Sequence, residues 1–153
     1  MIFLVHLHKA KGDRYYLRLE KDGVFKNWAL PQGLPKANRI NLPASKIRDG
    51  NLSVASFEGS ISKGLFGPGV ISIWDKGSYE PTMWYRDRIV FNLHGIKSSG
   101  TYVLNRVDES GKEGWTISKI EAQIPKPAEG QSLSVRLARN IKSWGGGTVS
   151  KRT

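Results

Sequence analysis

An all-β chain is the fold class this sequence predicts: a small antiparallel barrel of roughly eight strands, followed by a short C-terminal helix. Three observations carry it. Short segments of alternating apolar and polar residues succeed one another, broken by turn residues. Glycine is abundant, with 17 residues, and aromatics make up 10%. The composition shifts only after Ile124, where prolines appear at 125 and 127.

The expected strands are Ile2–His8, Tyr15–Lys21, Val24–Leu30, Val54–Glu58, Val70–Trp74, Arg88–His94, Thr101–Arg106 and Trp115–Ile120. The clearest is Tyr15–Lys21. Tyr15, Leu17 and Leu19 point to one side, and Tyr16, Arg18 and Glu20 to the other, which is the period of a half-buried strand. Asp22-Gly23 supplies the positive-φ pair of a tight hairpin, and Val24–Leu30 runs back. Lys11-Gly12-Asp13, Ser98-Ser99-Gly100 and Ser110-Gly111-Lys112 punctuate the other connections. Pro31 to Pro43 holds three prolines and reads as an irregular loop. The barrel is expected to occupy residues 1–123. Residues 124–153 read as a proline-containing linker, a basic amphipathic helix over Ser132–Trp144 stopped by Gly145-Gly146-Gly147, and a basic tail from Thr148.

The charge and composition narrow the function. Of 153 residues, 24 are Lys or Arg and 13 are Asp or Glu, a net charge of +11 with a pI near 10.0. That balance favours a polyanionic partner, nucleic acid before an anionic membrane. No cysteine is present, which excludes disulfides and thiol catalysis. No apolar run approaches the roughly 20 residues needed to cross a bilayer. Met1–Leu7 is too short for the apolar region of a signal peptide, so a cytoplasmic protein is expected. The opening Met1 suggests a free-standing protein. The Gly59–Gly69 stretch lacks the order of a P-loop, and its glycines read as bends of the barrel. No serine–histidine–acid pattern marks a nucleophile.

Several motifs, in order, resemble one family. Arg18-Leu19-Glu20, Asp22-Gly23-Val24, Lys26, Trp28-Ala29, Pro31 and Gly33 match a pattern R-L-E, D-G-V-x-K-x-W-A-x-P-x-G. Phe57-Glu58-Gly59, Ile61, Gly64, Gly67, Gly69 and Trp74-Asp75 follow, then Phe91, Leu93-His94-Gly95 and Gly100. Over about residues 3 to 120 the chain resembles the 3′-phosphoesterase domain of bacterial and archaeal DNA ligase D, an end-processing module of double-strand break repair. The resemblance implies a barrel with a crescent groove, and a manganese-dependent removal of 3′-ribonucleotides or 3′-phosphates.

The chain departs from the family where the metal would sit. In the family, the motif H-x5-H-x-D provides the ligands. Here the first histidine is His8, the second position is Arg14 and the aspartate position is Tyr16. The family's later Glu and His fall near Arg48 and Gly50, and Arg39 takes the place of its Arg if the intervening loop is longer. Residues 14, 16, 18 and 20 share one face. A guanidinium does not ligate a cation and repels one at close range. Two arginines and a phenol suit phosphate and a base instead. His6 and His8 share a face and, with Glu20 or Asp13, form the fallback metal site; the simpler reading is two ordinary strand histidines. His94 reads as structural.

Three functions follow. The first is an end-binding module with its catalysis lost or weak, in which Arg14, Arg18, Arg39 and Arg48 hold phosphate, Tyr16 stacks on a base, and His6 and Glu20 support the pocket. No cofactor is expected in that case. The second is an active manganese phosphoesterase with His8 as its catalytic residue and metal ligand. The third is a non-enzymatic protein-interaction barrel. The expected partners are DNA 3′ ends, RNA-containing ones included, and a ligase, polymerase or end-bridging protein.

Overall fold

The computed structural model, which describes residues 1–64 and 67–121, contains nine strands among those residues. They are β1 (Ile2–Lys9), β2 (Asp13–Lys21), β3 (Val24–Leu30), β4 (Asn41–Gly50), β5 (Gly59–Ile61), β6 (Gly69–Trp84), β7 (Arg88–His94), β8 (Ser99–Arg106) and β9 (Trp115–Ile120). A 3-10 turn over Leu52–Ser56 precedes β5. Neighbours run β1-β2-β3-β4-β9-β8-β7-β6, and β6 pairs back onto β1, so eight strands close a barrel with every pairing antiparallel. Closure leaves those eight without a free edge. β5 adds to the first residues of β6 as a short flap.

The β2–β3 hairpin forms where Asp22-Gly23 requires it, with φ of 54° and 82° at those two residues. Its register pairs Leu17 with Trp28 and Arg18 with Asn27. The barrel interior takes Phe3 and Val5 from β1, Leu17 and Leu19 from β2, Trp28 and Leu30 from β3, and Phe91, Leu104 and Ile117 from the far wall. Edge-to-face ring pairs bind this interior together: Trp28 with Trp115 at 5.6 Å and Tyr79 with Phe91 at 6.3 Å.

Three expectations are corrected. Asn41–Gly50 is a strand, β4, although its start lies in the segment read as a loop. Only Ala44 of this strand is buried, and Pro43 sits opposite Thr116, so neither periodicity nor composition marked it. Val54–Glu58 is not a strand. Asn51 caps a 3-10 turn there, its side chain accepting from Ser53 N at 2.8 Å. β6 continues ten residues past Trp74, and a bulge beside Pro81 lets the ladder carry that proline.

The barrel unit runs Met1–Glu121. The expected linker, helix and tail lie outside the described residues. No helix among the described residues is long and apolar enough to cross a membrane.

Candidate nucleic-acid interface

The polar side of β2 lies on the outside of the barrel wall. Strand pairing sets it beside the matching side of β1: His6 opposite Tyr16, and His8 opposite Arg14. A second, small apolar cluster sits on this outer surface, formed by Tyr16, Ala29 and Ile71 with Ile47 and Ile61 against them. The segment 51–61 crosses above it. The polar row is therefore half-sunk rather than fully solvated.

His6 is the fixed point. It is 1% exposed. Its Nε2 lies 2.9 Å from the Phe57 carbonyl, which only accepts, so Nε2 carries the proton. Its Nδ1 then accepts from Arg18 Nε, also at 2.9 Å. Burial, and next the Arg18 charge, lower its pKa to about 4. His6 is thus neutral, with both nitrogens engaged. It is a clasp between the β2 arginine and the overlying segment.

Arg18 is held on two sides. His6 takes its Nε–H, and its Cζ lies 5.2 Å from the centre of the Tyr16 ring. Burial draws its pKa down, yet a guanidinium stays charged. Its Nη donors enter no hydrogen bond among the described residues. The result is an oriented fork of N–H groups on a stacked, pinned guanidinium, the geometry that bidentate phosphate recognition uses.

Tyr16 is 6% exposed, and Arg18 lies over its ring. That ring is the platform for Arg18 and is otherwise covered by its apolar neighbours. Burial raises its pKa, outweighing the nearby Arg18 and Arg14 charges, so the phenol stays neutral. Its hydroxyl lies 3.1 Å from His8 Nδ1. His8 is 1% exposed, and its Nε2 has no hydrogen-bond partner among the described residues. A Cβ at Gly69 would lie 2.7 Å from that Nε2, so glycine keeps the space in front of it.

The remaining expected residues divide. Arg14 belongs to the same face, opposite His8. Glu20 closes its far end, its carboxylate accepting from Ile2 N at 2.8 Å and its carbonyl from the Tyr79 hydroxyl. Arg48 is exposed on β4, and its carbonyl accepts from Asn27 Nδ2 at 3.0 Å. Arg39 is not brought to this face. It is exposed, with φ of 67°, and its amide donates to Lys119 of β9, which is separated from β2 by β3 and β4. His94 is exposed and pairs with Glu80 at 2.7 Å. Sequence reasoning missed the clasp through Phe57, whose partner His6 is 51 residues away.

The donor set does not fit a divalent ion. His6 has no free nitrogen, His8 offers one, and a guanidinium stands where further ligands are needed. No group of three or more His, Cys, Asp or Glu side chains placed to share a metal occurs among the described residues. The fallback grouping of His6 and His8 with Glu20 or Asp13 is therefore not assembled.

The clasp makes stability depend on pH. The unfolded chain's histidine binds a proton near 6.5, while folded His6 binds one only near 4. Between those values the unfolded state holds more protons. Stability should therefore fall as pH drops from about 6.5 to about 4, by on the order of 2–3 kcal/mol. Thermal melts across that range check it, and His6→Gln should flatten the slope.

Comparison with known proteins places the chain in a family. A family model described as the DNA ligase D 3′-phosphoesterase domain matches residues 6–106. The multifunctional non-homologous end joining protein LigD of Mycobacterium bovis is 38% identical, the match covering 79% of this chain and 16% of that protein. The LigD of Mycolicibacterium smegmatis is 34% identical, over 79% of this chain and 17% of its own. That of Pseudomonas aeruginosa is 31% identical, over 99% of this chain and 18% of its own. The chain thus spans less than a fifth of the length of these curated relatives. It belongs to the DNA ligase D 3′-phosphoesterase domain family.

Proposed function

We propose that this domain binds DNA 3′ ends in double-strand break repair, with the family's phosphoesterase chemistry lost or weak. The carrying observation is the Arg18 guanidinium, seated by His6 and Tyr16 with its Nη donors turned to no protein partner among the described residues. It stands on the strand face where the family would present metal ligands. Arg14 shares that face, and the net charge of +11 draws a polyanion toward it. The terminal phosphate would take the place of the metal-bound group, held by guanidinium rather than by an ion. Arg48, exposed on β4, extends the proposed phosphate-binding set. A ligase, a polymerase or an end-bridging protein is the proposed partner, and the cytoplasm the proposed location.

Mobility shifts with matched 3′-phosphate and 3′-hydroxyl ends test this reading. Tighter binding to the phosphate, falling steeply as salt rises, is expected because each neutralised phosphate releases counterions. Equal affinity for the two ends, or binding indifferent to salt, would reject it.

A further inference from the structure

We propose that Phe57 stacks on the terminal base of a bound 3′ end; this rests on the end-binding reading above. With the Tyr16 ring covered by Arg18, the outer face needs another aromatic surface if it is to read a nucleotide rather than a bare phosphate. Phe57 is 41% exposed, and the other exposed aromatic among the described residues, Tyr85, sits at the β6–β7 turn.

The position of Phe57 is set by the same imidazole that sets Arg18. His6 Nδ1 accepts from the guanidinium, and His6 Nε2 donates to the Phe57 carbonyl, each at 2.9 Å. One buried ring therefore spaces a phosphate-binding fork from an exposed aromatic. One more bond holds the Phe57 backbone, its own N–H donating to Val54 O at 3.0 Å, and the next residue is tied to β6 where the Glu58 carboxylate accepts from Ile73 N at 2.8 Å. The Phe57 and His6 rings meet edge to face, 6.4 Å apart at 79°. A ring held this way on a fixed backbone loses little freedom when a base lies on it. Stacking of this kind tolerates any base, because every base has a π-face. A scattered exposed apolar residue needs no explanation in general. This one is tied to the proposed phosphate site through a single residue.

The test compares two 3′-phosphate ends, one with an intact terminal base and one abasic at that position. The wild type should bind the intact end about tenfold more tightly. Phe57→Leu should lose that margin while binding the abasic end as the wild type does, and Phe57→Trp should keep it. A terminal 2-aminopurine should be quenched by the wild type and not by Phe57→Leu. An undiminished preference in Phe57→Leu, or an equal loss on both ends, overturns the stacking and leaves end binding standing. No affinity of the wild type for either end removes the end-binding reading and the stacking with it.

Discussion

Replacing Asp75 with asparagine should destabilise the barrel by about 2–4 kcal/mol, the cost of leaving one or two buried donors unsatisfied. Asp75 is 5% exposed. Its Oδ2 accepts from Lys97 N at 3.0 Å, Ser98 N at 2.7 Å and Ser98 Oγ at 2.6 Å. Its Oδ1 accepts from Ile96 N at 3.0 Å and Lys76 N at 2.9 Å. This carboxylate locks the β7–β8 turn to β6. An asparagine amide nitrogen only donates, so in either orientation one set of donors faces another donor. The turn has no room to adapt, since a Cβ at Gly95 would collide with Asp75 Oδ2 and lie 2.7 Å from Phe3 Cζ.

The turn also supports the strand that carries the interface. Lys97 Nζ lies over Trp74 at 5.2 Å, and Trp74 meets Tyr15 of β2 edge to face at 5.7 Å. The melting temperature of Asp75→Asn should fall by roughly 10 °C, and Ser98→Ala should show a fraction of that. Burial pushes the Asp75 pKa up, but the bonds from Ser98, Ile96 and Lys76 outweigh it and hold it below the ordinary carboxylate value. The stability it adds is complete above that ordinary value and is lost as pH falls through the lower, folded one. Acid unfolding of this latch therefore begins below the His6 window. An asparagine variant that melts with the wild type would show that the latch contributes nothing.

Arg18→Ala should weaken binding to a 3′-phosphate end by about 1–3 kcal/mol, roughly 5- to 150-fold, if the fork makes a charge-assisted contact. Arg18→Lys should not rescue it. An ammonium has neither the planar fork nor the stacking surface that Tyr16 supports, and it cannot reproduce the Nε–His6 bond in the same pose. A second readout separates this from general damage. The Arg18 charge is one cause of the lowered His6 pKa, so removing it should raise the His6 titration toward 6.5, visible by NMR. Wild-type affinity in Arg18→Ala would reject the phosphate role.

The parts of the fold that were legible in the sequence are those fixed by local chemistry. The β2–β3 hairpin follows from strict alternation and from a dipeptide that accepts positive φ. The polar face 14-16-18-20 follows from the same period of two. β4 was not legible because a strand with one buried residue carries no alternating signal. The 51–61 segment was misread because Asn51 diverts its backbone into a 3-10 turn. At the site, the residue types on β2 were readable, but their burial was not. Tyr16 lies away from the core and is still covered, because Ala29, Ile47, Ile61 and Ile71 come from four other strands. The His6 clasp depends on β1–β2 register and on a carbonyl distant in sequence, and no local pattern encodes either.

The most direct test of the central claim places binding and turnover in the same tubes. A labelled primer–template ending in a 3′-ribonucleotide or a 3′-phosphate is incubated with and without manganese, with His8→Ala as control. A shifted band with intact ends, the same with manganese or with a chelator, is the predicted result. Cleavage that requires both manganese and His8 would contradict it, and would show that this face still assembles a catalytic metal site.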